Sequence, residues 1–306
     1  MRHQPGQPRR RVTAAIAVLL AAAAAAAVLA GSRPGRAHPA ALPLPMPLAW
    51  LQLSSAQQTS LDHAEDVLVR RCMRARGLDF AVAPTTVARE FTDPNPYGLL
   101  DPAIVTRQGY GLHAATPRSA QESRTPTAAE SRALLGTASH AVKMALPGGG
   151  YTVENTDGCF SQAQDELYGR AWKVLHYGEE TLFARELAQV RQDPDAQKAE
   201  SSWAACMRAS GYRVTALHDV RPDAEQRMAA TGSDRAAGRR EFGTLWKQAQ
   251  RDAACQQKTG VVSAYRRAQG TVESALTRPH RGDLARLTSL RTHALALSGR
   301  LAGTDH

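Results

Sequence analysis

Cysteine and methionine stand side by side twice in this chain. Cys72 and Met73 open CMRARGLDF, and Cys206 and Met207 open CMRASGYRV. Two adjacent soft sulfur ligands can capture a soft metal. Two thiols that meet in space can cycle between dithiol and disulfide. Two cysteines that meet and stay oxidised form a structural staple, with each Met as flexible core filler. The remaining cysteines are Cys159 and Cys255, and no two of the four make a CxxC motif. Which chemistry applies depends on the compartment.

Other residue sets that could do chemistry fall away one by one. There are 10 histidines, and none sits in an HExxH or paired ligand spacing. His3, His38, His280 and His306 lie in tails or loops; His63, His140 and His176 read as surface or internally satisfied helix residues. The adjacent acids Asp165/Glu166 and Glu179/Glu180 point apart on a helix, so a solvated face is expected rather than an acid–base pair. LPGGGYT at Leu146–Thr152 lacks the Lys and Ser/Thr of a phosphate loop and reads as a flexible connection. There is no GxSxG and no Cys–His signature. No catalytic residue, metal ligand set or cofactor is nominated.

The compartment is legible at the start of the chain. Arg9, Arg10 and Arg11 precede an uncharged apolar run from Val12 to Ala30. Residues 1–30 therefore read as a signal peptide cut before Gly31, or as an uncleaved membrane anchor with the same orientation. No Cys follows the run before Cys72, which argues against a lipoprotein. Residues 31–59 read as a linker, because Pro34, Pro39, Pro43, Pro45 and Pro47 break any helix. Its apolar part, ALPLPMPLAWLQL, is expected to lie on the body or on a membrane surface. Outside the cytosol an even cysteine count reads as disulfides. Four cysteines allow three pairings. Cys72–Cys159 with Cys206–Cys255 gives one staple per copy of the repeat, and Cys72–Cys206 is the alternative. Each staple of the first kind closes a loop of about 50–90 residues, worth about 4 kcal/mol in the chain-entropy account.

The elements that must position these sulfurs are helices. Leu61, Ala64, Leu68, Cys72 and Ala75 follow a helical spacing, with Ser60 as N-cap. Ala196, Ala199, Trp203 and Cys206 do the same, with Asp193 as cap and Pro194 in the first turn. Gly77 and Gly211 fall where a left-handed residue ends a helix, each followed by a large apolar or aromatic side chain. Thr156 or Asp157 is expected to cap a helix holding Cys159, and Ser233 to open a long one holding Cys255. Further helices are expected at Arg170–Arg191, Val261–Leu276 and Arg281–Leu301.

These readings combine into a mostly α fold: two related disulfide-stapled helical halves in one body, residues 60–192 and 193–306. The first half carries a turn-rich insert in which Tyr97, Gly98, Gly109, Tyr110 and Gly111 look like a packed aromatic loop. Only 5% of residues are aromatic, so small Ala-rich cores are expected. The net charge is +10, with Lys and Arg most in excess after residue 220. Outside the membrane that excess suits anionic wall polymers, an anionic lipid surface or an envelope protein. No aromatic–basic motif supports nucleic acid.

WAACMRASGY, DGCFSQAQDELYG and DAACQQKTGVVSAY together resemble a family of exported actinobacterial proteins of unknown function. The resemblance covers residues 60–275 sparsely. It implies export and a helical body, and no chemistry. The expected function is a binding or structural role in the cell envelope. An envelope-acting hydrolase is the competing expectation.

Overall fold

Both copies of the repeated nonapeptide end a helix with the same pair of hydrogen bonds. Helix α1 spans Ser55–Ala75 and helix α6 spans Pro194–Ala209. In the first, Gly77 N–H donates to Arg74 O at 2.9 Å and Leu78 N–H to Met73 O at 3.1 Å. In the second, Gly211 N–H donates to Arg208 O at 3.0 Å and Tyr212 N–H to Met207 O at 3.1 Å. This is the Schellman arrangement, which needs a left-handed residue just past the helix. Gly77 (φ +74°) and Gly211 (φ +87°) supply it. Met73 and Met207 are fully buried beneath the two caps.

The computed structural model describes residues 43–78, 95–112, 126–147 and 149–302. The targeting segment, the linker up to residue 42 and much of the insert lie outside these. The remaining helices are α2 (Pro102–Gln108), α3 (Ala128–Leu135), α4 (Cys159–Tyr168), α5 (Trp172–Gln192), α7 (Leu217–Ala230), α8 (Arg235–Thr259), α9 (Val261–Thr277) and α10 (Arg281–Ala302). The fold is mostly helical. An antiparallel hairpin of β1 (Ala141–Ala145) and β2 (Tyr151–Asn155) pairs Lys143 with Val153 at its centre. In the Gly-rich LPGGGYT stretch, Leu146 N–H donates to Gly150 O at 3.2 Å to close the hairpin, and Tyr151 and Thr152 already belong to β2.

Three expected caps move. Ser54, not Ser60, caps α1, because Ser54 and Gln57 bond reciprocally: Gln57 N–H reaches Ser54 Oγ and Ser54 N–H reaches Gln57 Oε1. The helix thus starts inside the stretch read as linker, and the Ser60 hydroxyl meets Ser298 Oγ at 2.8 Å instead. Asp234, not Ser233, caps α8 through Ala236 and Ala237 N–H. Gly158, without a side-chain bond, precedes α4. The expected cap Asp157 is occupied elsewhere: its carboxylate accepts Thr137 N–H at 2.9 Å and Thr137 Oγ1 at 2.8 Å. Asp193 caps α6 as expected, with Pro194 in the first turn.

Two cores form, and each draws on chain from both expected halves. The first gathers α1, α4, the start of α5 and, from the far end of the sequence, Leu287 and Ala294 of α10. The second gathers α6, α7, α8 and α9 together with Tyr97, Leu99, Val105, Tyr110 and Leu112 from the insert of the first half. So the aromatic loop is packed, as its residues suggest, but into the second core. Helix α5 is the spine: Trp172 and Leu175 sit in the first core and Val190 in the second. Between them Leu182 meets Leu284, Leu48 and Leu51. The apolar linker residues from Leu44 onward therefore lie on the body. They are tied there by Gln269 Nε2 to Met46 O (2.6 Å), Arg291 Nη1 to Leu51 O (3.1 Å) and Asn95 Nδ2 to Pro45 O (2.6 Å).

Candidate functional site

The four cysteines pair within their copies. Cys72 bonds Cys159 and Cys206 bonds Cys255, with Cα separations of 5.6 and 5.8 Å. Both values lie in the range that a disulfide spans without backbone distortion. No described cysteine is free, and Cys159 and Cys255 are fully buried. The sulfur sites are thus staples, and their Met neighbours are packing. Among the described residues no three His, Cys, Asp or Glu side chains gather as a metal-binding set, and no helix is long and apolar enough to cross a membrane.

The acid pairs depart from the solvated-face expectation in one respect: one member of each turns inward to a cation. Asp165 Oδ1 lies 3.1 Å from Lys173 Nζ while Glu166 faces out to Arg71. Glu179 faces Arg291 at 2.5 Å while Glu180 stays exposed near His176. Lys173 is only 4% exposed. Its ammonium reaches Ser161 Oγ (2.6 Å), Ser161 O (3.0 Å) and Glu154 Oε1 (2.7 Å) as well as Asp165. A buried ammonium needs this density of acceptors, so the cluster ties β2, α4 and α5 together. His176 stacks on Trp172, which stacks on Tyr168, and His140 sits against Thr137 and Asp157. Both are internally satisfied residues.

Three carboxyls titrate well above the ordinary range, and burial is the first cause in each. Glu65 rises to about 7, helped by Asp62 and Asp66 and opposed by Gln164 and Lys173. Glu186 rises to about 8; Glu273 adds to the effect, and the Leu48 backbone and Gln269 amide oppose it. Asp252 rises to about 6 against three hydrogen bonds that hold it down. These bonds are Trp203 Nε1 to Oδ1 (2.7 Å), Gln256 Nε2 to Oδ1 (2.9 Å) and the Tyr110 hydroxyl to Oδ2 (3.1 Å). Gln256 in turn donates to Gly98 O and accepts Leu100 N–H. Asp252 therefore anchors the 95–112 segment onto the second core.

That anchoring shapes a cavity of about 380 Å³ between the 95–111 segment and α7. Its floor is apolar, with Leu99, Val105, Leu217 and Val220 all buried. Asp252, Arg191, His218 and Arg221 also line it. Two local features set its α7 wall. Gly98 (φ +79°) lies so close to α7 that a Cβ there would stand 2.3 Å from Leu217 O. Pro222, inside α7, lacks an N–H, so the His218 carbonyl has no helical donor. A second, shallow depression over α9 is walled by Arg266, Arg267 and Arg278.

None of the cavity residues was singled out as a site residue by the sequence, although Tyr97, Gly98, Tyr110 and Gly111 marked the loop that builds it. Met73, Gly77, Met207 and Gly211 lie at the two helix ends, outside the cavity. Comparison with protein families, with curated proteins and with solved structures finds no match.

Proposed function

We propose that the protein is an exported binding protein of the cell envelope, and that the cavity between the 95–111 segment and α7 holds its ligand. The observation that carries this reading is the cavity itself: about 380 Å³, floored by aliphatic side chains, with a few polar groups around it. Small-molecule sites have this size and this make-up. Two disulfides support an oxidising, extracytoplasmic compartment, and the Arg-rich start of the chain supports export through the membrane. The resemblance to exported actinobacterial proteins fits the same reading. The arginines over α9 suit an anionic wall polymer or lipid surface as the setting in which the protein works.

Of the three carboxyls with raised pKa, Glu65 and Glu186 do not line the cavity. Asp252, the one that lines the cavity, is already engaged by three donors, so it serves as an anchor.

Titration with an uncharged apolar fluorophore tests the reading. One saturable site is expected per chain. Ile104→Trp, which fills the cavity from the α2 side, should abolish it. Unsaturable binding, or binding indifferent to Ile104→Trp, would sink the proposal.

A further inference from the structure

Two arginines line this one cavity, Arg191 and Arg221, and among the described residues the buried Nε of each lacks a hydrogen-bond partner. A buried donor left unmatched is costly, and more so when it is charged. A guanidinium in the wall of an apolar cavity calls for an oxyanion beside it. The acids of the cavity do not supply one to Arg191. They are spoken for: Asp252 by Trp203, Tyr110 and Gln256; Asp101 by Ala103 N–H; Glu225 by Arg221, whose Nε lies 3.0 Å away but out of line for a hydrogen bond. Among the described residues Arg191 faces no carboxylate within ion-pair distance, and its Nη2 donates to Pro96 O at 2.5 Å. That bond fixes the guanidinium at the edge of the 95–111 segment and leaves Nε unmatched.

We propose that the cavity binds an amphipathic oxyanion: an apolar body on Leu99, Val105, Leu217 and Val220, and one carboxylate or phosphate headgroup taken by Arg191 with Arg221. The proposal rests on the binding reading above and names its ligand class. Guanidinium suits the task, because its planar set of donors matches the oxygens of either headgroup and stays charged at any physiological pH. A neutral headgroup would leave the charge of Arg191 uncompensated. A cationic one would add repulsion.

The test is calorimetric titration of the full, oxidised chain with decanoate, decyl phosphate, decanol and decylammonium at low ionic strength. At least one of the two anions should bind about tenfold or more tightly than decanol, the gain of one charge-assisted hydrogen bond. Decylammonium should bind most weakly. Comparing decanoate with decyl phosphate tells a carboxylate ligand from a phosphate one. Arg191→Gln should bring the favoured anion down to the level of decanol, and raised salt should do the same to wild type in part. If decanol binds as tightly as both anions, the oxyanion proposal is overturned while the binding reading stands. If none of the four binds, the binding reading falls and takes the proposal with it. The headgroup series on wild type decides the matter even if Arg191→Gln, which loses its bond to Pro96, does not fold.

Discussion

Behind Cys72 the partner helix α4 begins at its own cysteine, Cys159, whereas behind Cys206 the partner helix α8 has nearly run its course before reaching Cys255. Each second cysteine has an aspartate just before it, and the two aspartates live different lives. Asp157 stands ahead of its helix, and the backbone N–H and hydroxyl of Thr137 hold its pKa below the usual carboxylate value. Asp252 lies inside its helix, 1% exposed, and burial lifts it to about 6. The first region binds its elements with charge, through the buried Lys173 and the Arg291–Glu179 pair. The second binds the 95–112 segment with one carboxyl shared among Trp203, Tyr110 and Gln256. A shared helix end therefore specifies where a chain stops and where a sulfur points. It does not specify what is assembled around it.

Removing the staples separately breaks the comparison hardest. Cys72→Ser/Cys159→Ser opens a loop of sequence separation 87, and Cys206→Ser/Cys255→Ser one of 49. Each change should cost about 4 kcal/mol in urea unfolding, the first slightly more, since loop entropy grows only with the logarithm of length. A much larger loss at the second staple would mean that it also guards the Asp252 network.

The two aspartates should separate next. Asp252→Ala strands the Trp203 indole, the Tyr110 hydroxyl and the Gln256 amide in the core and should cost about 3 kcal/mol. Asp157→Ala removes bonds to Thr137 near solvent and should cost markedly less. Equal losses would refute the distinction drawn between them.

Acid titration probes the seam between the regions. An acid whose folded pKa lies above its unfolded value binds its proton more tightly in the fold. Its contribution is therefore complete at low pH and is lost as pH rises through the folded pKa. Glu65, Asp252 and Glu186 all have this sign, so stability should decline from about pH 4.5 to about pH 8. Asp157 has the opposite sign and loses its contribution only in stronger acid. Glu186 is fully buried on α5, and its contacts with the Leu48 backbone and the Gln269 amide do not offset that burial. Glu186→Gln should therefore stabilise the protein by about 2 kcal/mol at pH 9 and by little at pH 5. A variant with an unchanged pH slope would show that Glu186 does not carry it.

The smallest expected effect is the sharpest check on the repeat. Gly77→Ala and Gly211→Ala each force a Cβ into left-handed backbone, yet a Cβ at either site meets nothing within 4 Å. Each should cost about 1 kcal/mol, by the same amount, in thermal unfolding. Unequal costs would mean that the two ends are not equivalent.

Much of the helical framework could be read in advance. Spacing, Asp193–Pro194 and the two glycines located α1 and α6 because such signals act within a turn or two of chain. The staple pairing followed from treating the repeat as a unit. The hairpin escaped notice because Ala141–Ala145 is almost wholly exposed and shows no period-two burial. Ser60 stands directly before Leu61, the first of the apolar residues that advertise the helix, whereas the cap Ser54 is set by its reciprocal bonds with Gln57.

By itself, then, the sequence determined a mostly helical chain, its two Schellman ends and the sign of its charge. The helices and their ends depend on dihedral preference and helical period, which act locally, and the charge is a sum over composition. Tertiary structure alone decided that residues 95–112 complete the second core, that α10 completes the first, that Asp252 sits beneath a cavity and that Arg191 lines it without a carboxylate. Closing a long loop costs little more than closing a short one, so distant segments compete with neighbouring ones for the same apolar face. Shape and buried hydrogen bonding choose between them, and neither is written in any single stretch of the chain.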